Sequence, residues 1–73
     1  MSPAARDVAI AGEMIRLGQL LKLAGVVDSG GEARELIVDG LVRVNGDVEP
    51  RRGRQLRAGD VVEAAGERLR VVV

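Results

Sequence analysis

Six amino-acid types are missing from this 73-residue chain, which has no cysteine, histidine, threonine, phenylalanine, tyrosine or tryptophan. Each absence closes a class of chemistry. Without cysteine there is neither a disulfide nor a thiolate metal site to staple a small fold, so Leu, Ile, Val and Ala must build the core. Without histidine the commonest general base is gone, and the serines at positions 2 and 29 have no imidazole to activate them. A serine–lysine arrangement would need Lys22, the one lysine, in a buried site. No enzyme activity, metal or organic cofactor is therefore expected. No apolar run is long enough to span a bilayer, and Met1 to Asp7 lack the long apolar stretch of a signal peptide. The expectation is a cytoplasmic protein without a membrane partner.

What is present is 47% hydrophobic and 30% charged residues, the balance of one small globular domain. Residues 1–7 read as an N-terminal tail and 8–73 as the domain. A core this thin leaves little room for an enclosed small-molecule cavity, so surface binding is the better expectation, and the protein is expected to be a monomer. The net charge is zero, with 11 basic and 11 acidic residues, but the charges are unevenly spread. Residues 1–40 hold four basic against six acidic side chains, whereas 41–73 hold seven arginines against five acids. Arg51-Arg52-Gly53-Arg54-Gln55-Leu56-Arg57 carries four positive charges and no negative one.

The apolar spacing gives the elements. Val8-Ala9-Ile10 predicts a short strand. Leu17, Leu20, Leu21 and Ala24 recur at helical spacing, with Gly25 placed to end a helix of about two turns. Ser29 and Glu32 form the capping-box pattern of a second helix, Ala33, Leu36 and Ile37 make its apolar stripe, and Gly40 stops it. From there the period becomes two. Val42 and Val44 alternate with Arg43, Asn45-Gly46 is a strong hairpin signal, Val61-Val62-Glu63 reads as a strand, and Leu69, Val71 and Val73 alternate with Arg68 and Arg70. The predicted class is α+β, with two short N-terminal helices packed on a small, largely antiparallel sheet. Leu17, Leu20, Leu21, Leu36, Ile37, Val42, Val44, Leu56, Val61, Leu69 and Val71 are the expected core.

Arg51, Arg52 and Arg54 are the sharpest functional signal, because guanidinium groups bind phosphate in bidentate fashion and stay charged at every relevant pH. The alternative is a solvated turn whose arginines pair with Glu49, Glu63 or Glu67. No apolar periodicity anchors these side chains, so they are expected to be exposed and dispensable for folding. Ser29-Gly30-Gly31 at a helix start suits a phosphate, although the same residues also fit an ordinary helix cap. Two glycines in a first turn cost up to about 1 kcal/mol each relative to alanine, which suggests a purpose other than helicity. Arg16, Lys22, Arg34 and Arg43 are each a candidate extension of one basic groove or a merely solvated charge. The lack of aromatics removes base-stacking platforms, and no helix is long enough to read a DNA major groove. Structured RNA is thus preferred to DNA.

Five segments occur together: Leu17-Gly18-Gln19-Leu20-Leu21-Lys22-Leu23-Ala24, Ser29-Gly30-Gly31-Glu32-Ala33-Arg34, Val42-Arg43-Val44-Asn45-Gly46, Arg51-Arg52-Gly53-Arg54 and Ala58-Gly59-Asp60-Val61-Val62. In this combination, over roughly residues 8–73, the chain resembles the ribosomal protein S4-type RNA-binding domain, and within it the small stand-alone bacterial S4-like proteins linked to ribosomal RNA and ribosome maturation. The broader family often has Asp where this chain has Gly18 and a Ser-Arg pair where it has Ser29-Gly30, and the stand-alone subgroup shares these glycines. The usual basic residue after Val-Asn-Gly is Asp47 here, so that position is left out. The resemblance implies an S4-like α+β fold with an L-shaped RNA-binding surface (the αL motif). It also implies a structured-RNA partner, with Arg16, Lys22, Ser29, Gly30, Gly31, Arg34, Arg43, Arg51, Arg52 and Arg54 as the expected RNA-binding residues. A protein-interaction adaptor without RNA binding is the rival reading.

Overall fold

The computed structural model describes residues 4–73, and Met1 to Pro3, part of the expected N-terminal tail, lie outside them. Among the described residues nine elements follow one another: β1 (Arg6–Ala9), β2 (Ile15–Arg16), α1 (Leu17–Leu23), α2 (Gly30–Val38), β3 (Val42–Val44), β4 (Asp47–Val48), β5 (Gln55–Leu56), β6 (Val61–Ala64) and β7 (Glu67–Val72). The class is α+β with a mostly antiparallel sheet, as expected. The helices, however, do not begin the fold. Two strands precede them, and Arg6 and Asp7 belong to the first of these.

The main sheet has the order β1-β7-β6-β3-β4. β7, β6, β3 and β4 join antiparallel, and β1 lies parallel to β7, with Val8 opposite Val71. Parallel strands cannot be joined by a tight turn, and here nearly the whole fold forms the connection. A second ribbon pairs β2 with β5, Ile15 opposite Leu56.

Both helices end as their glycines predict. Gly25 and Gly40 take φ of +75° and +73°, and in each case the next N–H turns back to the carbonyl five residues earlier, Val26 to Leu21 and Leu41 to Leu36. This Schellman pattern satisfies carbonyls that the helix end leaves free and reverses the chain within two residues. At the start of α2 the Ser29 hydroxyl accepts from the Glu32 N–H at 3.2 Å.

One core joins both helices to the inner face of the sheet. Leu17, Leu20 and Leu21 from α1, Ala33 and Ile37 from α2, and Val42, Val44, Leu56, Val62, Leu69 and Val71 are buried together. Each Leu or Val fully withdrawn from water contributes about 1.5–3 kcal/mol. The expectation named Val61, but Val62 is the buried residue, opposite Val44 on one side and Leu69 on the other. In a run of two valines, alternation alone does not choose the face, and a one-residue shift reverses it. Leu36 is only half-buried at the edge of the core.

Two hairpins have two-residue turns with both residues at positive φ, Asn45-Gly46 and Ala65-Gly66. Asn45 suits that conformation and also holds the start of β6, its side chain accepting from the Val61 N–H and donating to Asp60. Ala65, at φ +51°, has no such compensation, since a β-carbon in the left-handed region costs about 1–2 kcal/mol. Replacing Ala65 by Asn or Gly is therefore expected to raise stability by about 0.5–1 kcal/mol, read as a higher denaturant midpoint at unchanged slope.

Candidate functional site

Arg51 and Arg52 are exposed, as expected, and Arg54 is half-buried, but the backbone of the segment is tied down. The N–H of Leu17 donates to the Arg54 carbonyl at 2.9 Å, and that of Gly18 to the Arg52 carbonyl at 3.0 Å. These are the first two N–H groups of α1, which no intrahelical carbonyl can serve. The loop thus completes the helix start. On the helix side, the Gln19 Oε1 accepts from the Arg16 N–H at 3.3 Å. Arginine has no acceptor, so the reciprocal half of a capping box cannot exist there.

Glu49 holds the loop from the other end. It is 3% exposed, and its carboxylate accepts from the Nε and Nη2 of Arg51 at 3.1 and 3.3 Å, from the Arg51 N–H at 3.1 Å, and from the Nη1 of Arg54 at 2.7 Å. The hydrogen bonds from Arg51 and Arg54 lower its pKa from the ordinary value of 4.5 to about 2, against a smaller upward effect of burial. Two of the three arginines of this loop that were expected to bind phosphate are therefore paired already, and pairing with Glu49 is the arrangement this turn adopts. Among the described residues Arg52 has no carboxylate partner, and its side chain lies across the start of α1. A β-carbon on Gly18 would sit 2.8 Å from the Arg52 Cγ, so glycine there makes room for the arginine.

Between this loop, α1 and the start of α2 lies an open groove of about 420 Å³, lined by Arg16, Gly18, Gln19, Lys22, Gly30, Arg52 and Gly53. It gathers Arg16 and Lys22, Gly30, and Arg52 from three separate stretches of the chain, and no carboxylate lines it. The Nη1 of Arg16 reaches the Gly53 carbonyl at 3.4 Å. Arg51 and Arg54 line an adjoining hollow with Gly53 and Gln55.

The other candidates lie elsewhere. Gly31 and Arg34 line a hollow farther along α2 beside Glu35 and Asp39, where acids offset the positive charge. The Ser29 hydroxyl is engaged by its own helix. Arg43 lies on the sheet face opposite the core, next to Glu63 on β6, and bonds the Gly46 carbonyl. It does not join the groove. Gly18, Gln19 and Glu49 were missing from the expected set. A glycine in the first turn of a helix was a visible signal at Gly18, as at Gly30 and Gly31, whereas Glu49 was named only as a possible partner.

The match to known proteins follows this geometry. A family model described as the S4 domain matches residues 8–72. The chain belongs to the S4 domain family. It is 50% identical over 62 residues to a probable ribosome maturation protein, RlbA of Bacillus subtilis, a match covering 85% of this chain and 87% of that one. The solution structure of YbcJ from Escherichia coli, a protein with an αL motif involved in RNA binding, superposes with a TM-score of 0.71 at 33% identity, covering 97% of this S4 chain and 91% of YbcJ. Tyrosine–tRNA ligase of Burkholderia lata is 39% identical over 62 residues, but the match is 15% of that enzyme, so the likeness is to its S4 part.

Three outcomes are expected of this loop and its Glu49 cluster. Replacing Arg51 and Arg54 together by Gln leaves a covered carboxylate without its cations, and should cost about 1–3 kcal/mol in a denaturant titration. Arg52→Gln should change stability by no more than about 0.5 kcal/mol. Because the folded-state pKa of Glu49 is depressed, its contribution is present above pH 4.5 and lost as pH falls toward 2. Subtracting the pH–stability curve of Glu49→Gln from that of the parent should isolate a loss confined to that window.

Proposed function

We propose that this chain is a non-catalytic RNA-binding protein of the cytoplasm that, as a monomer, holds structured RNA, ribosomal RNA in particular, by its phosphate backbone and serves ribosome assembly or maturation. The observation that carries the reading is the groove between the arginine loop, α1 and α2. In a chain of zero net charge it places Arg16, Lys22 and Arg52 around one concavity with no acid among its lining. The names of the B. subtilis and E. coli relatives support the choice of RNA and of ribosome maturation.

Arg16, Lys22 and Arg52 are the primary phosphate ligands in this reading. Gly30 and Gly31 supply N–H groups at the start of α2, where a backbone can come close and the helix dipole favours an anion. Arg51 and Arg54 keep the loop in place and present their remaining N–H groups at its edge. Arg34 and Arg43 contact only an RNA large enough to pass beyond the groove.

Three cations imply about three phosphates, hence a log–log salt slope of roughly −2 to −3 and a loss of affinity on the order of 20- to 40-fold between 50 and 200 mM salt. Arg52→Gln should reduce the slope by about one while weakening binding to unrelated structured RNAs alike. A slope near zero in a fluorescence-anisotropy titration would contradict a phosphate-led mode. For the glycines, an added β-carbon at Gly30 meets nothing within 4 Å and one at Gly31 only the Ser29 hydroxyl at 3.8 Å, so Gly30→Ala with Gly31→Ala should fold at least as stably. RNA binding should nevertheless weaken, because the new methyl groups stand where the backbone approaches. Parental affinity in a folded double variant would remove the glycines from the site.

A further inference from the structure

We infer that Asn45 is a site of spontaneous deamidation that the folded hairpin holds closed, and that the aspartate it yields turns a hydrogen bond to Asp60 into a repulsion. The site is separate from the RNA groove, whose lining includes neither residue.

Asn45 is the one asparagine of the chain, and glycine follows it. Glycine has no side chain to shield its amide nitrogen, so that nitrogen, on giving up its proton, can bond to the Asn45 Cγ. The Cγ–Nδ2 bond breaks, ammonia leaves with the proton, and a five-membered succinimide remains. Water then opens the ring at either carbonyl, giving aspartate or isoaspartate. Water is the one co-reactant, and nothing is oxidised or reduced.

Ring closure requires the side-chain amide to fold back onto the Gly46 nitrogen. Here the two are drawn apart. In the order β7-β6-β3-β4 the chain beyond Asn45 turns toward β4, whereas its side chain crosses to the β6 side. There Oδ1 accepts from the Val61 N–H at 3.0 Å and Nδ2 donates to the Asp60 Oδ1 at 3.1 Å. The Val61 N–H can only donate and the Asp60 carboxylate only accept, so the amide has one orientation. The bond from Val61 polarises the amide and by itself favours attack, but the nitrogen reaches the carbon only after the side chain lets go. Two hydrogen bonds must open first, each lowering the open population by roughly 2- to 10-fold.

The product does not fit the place its precursor held. The Asp60 Oδ2 accepts from the Arg57 N–H at 2.8 Å, and among the described residues no Lys or Arg side chain pairs with this carboxylate. Aspartate at 45 keeps the bond from Val61 but sets a second carboxylate where Nδ2 met Asp60. Isoaspartate lengthens the main chain by one carbon in a two-residue turn, whose length sets the register of β3 with β4. Neither restores the link between the turn and the start of β6.

The test incubates the full chain at mildly alkaline pH, in native buffer and in guanidinium chloride above its unfolding midpoint. Conversion is read as a mass gain of about one dalton in the tryptic peptide Val44 to Arg51. The unfolded chain should convert on the order of 10- to 100-fold faster. Equal rates overturn the protection. The repulsion is read from denaturant titrations. Asn45→Asp, the direct product, should lower the folded-to-unfolded ratio on the order of 10-fold, as two close like charges require. Asp60→Asn should lower it too, because its amide must face Nδ2 of Asn45 and the Arg57 N–H, two donors, with one oxygen. Combining them restores a matched set, the new amide at 60 donating to the new carboxylate at 45 and accepting from Arg57, so the double variant should be more stable than either single one. Where Asn45→Asp does not fold, a folded double variant shows the same rescue. An Asn45→Asp variant as stable as the parent, or a double variant that merely combines the two losses, overturns the repulsion.

Discussion

A seven-residue helix in water has almost no stability of its own, because each end leaves backbone groups without partners and nucleation is costly. In this protein the problem is solved from outside. The carbonyls of Arg52 and Arg54 receive the first two N–H groups of α1, and Gln19 binds back to the residue before it. Much else hangs on that contact. It sets the loop against the helix, brings β5 beside β2, and carries Leu56 into the core opposite Ile15. The walls of the groove are the two partners in this contact, so the site is produced by the same hydrogen bonds that allow the helix to exist.

The charge distribution has a similar economy. An isolated cluster of arginines repels itself and gains from an internal anion. Glu49 supplies one, at a position sheltered from water where a carboxylate persists only when well bonded. Glu49 thereby commits the guanidiniums of Arg51 and Arg54 and leaves those of Arg52 and Arg57 without a carboxylate partner among the described residues, Arg52 being the one at the groove. Local positive potential in the groove then depends on which side chains are left free and on the absence of acids from its lining, and hardly on net charge, which is zero.

The helices, their glycine stops, the Ser29 cap and the Asn45-Gly46 hairpin were legible because each is written locally, in spacings of two to five residues. The α+β class and the S4 resemblance were legible for the same reason. Long-range pairing was not. Nothing near Arg6 and Asp7 reveals that they join a strand whose partner lies some 60 residues on, and Val61 and Val62 are told apart only by the register with β3 and β7. The site shows the same division. Arg16, Lys22, Gly30 and Arg52 were selected by residue type and do converge, whereas Arg43 has the right charge on the wrong side of the sheet. Glu49 escaped because a carboxylate beside arginines looks the same in sequence whether it is solvated or buried.

The parallel pairing of β1 with β7 has a bearing on how the protein comes into being. Synthesis delivers β1 first and β7 last, so Val8 and Ile10 must wait for Leu69 and Val71 before their side of the core can close. Contacts of such long sequence separation are slow to form because the intervening chain must be ordered first. Up to that moment the nascent chain holds two helices and a hairpin region that are local and quick to form, beside an apolar strand with no partner. Completion of the sheet therefore waits until Leu69 and Val71 are available to pair with β1.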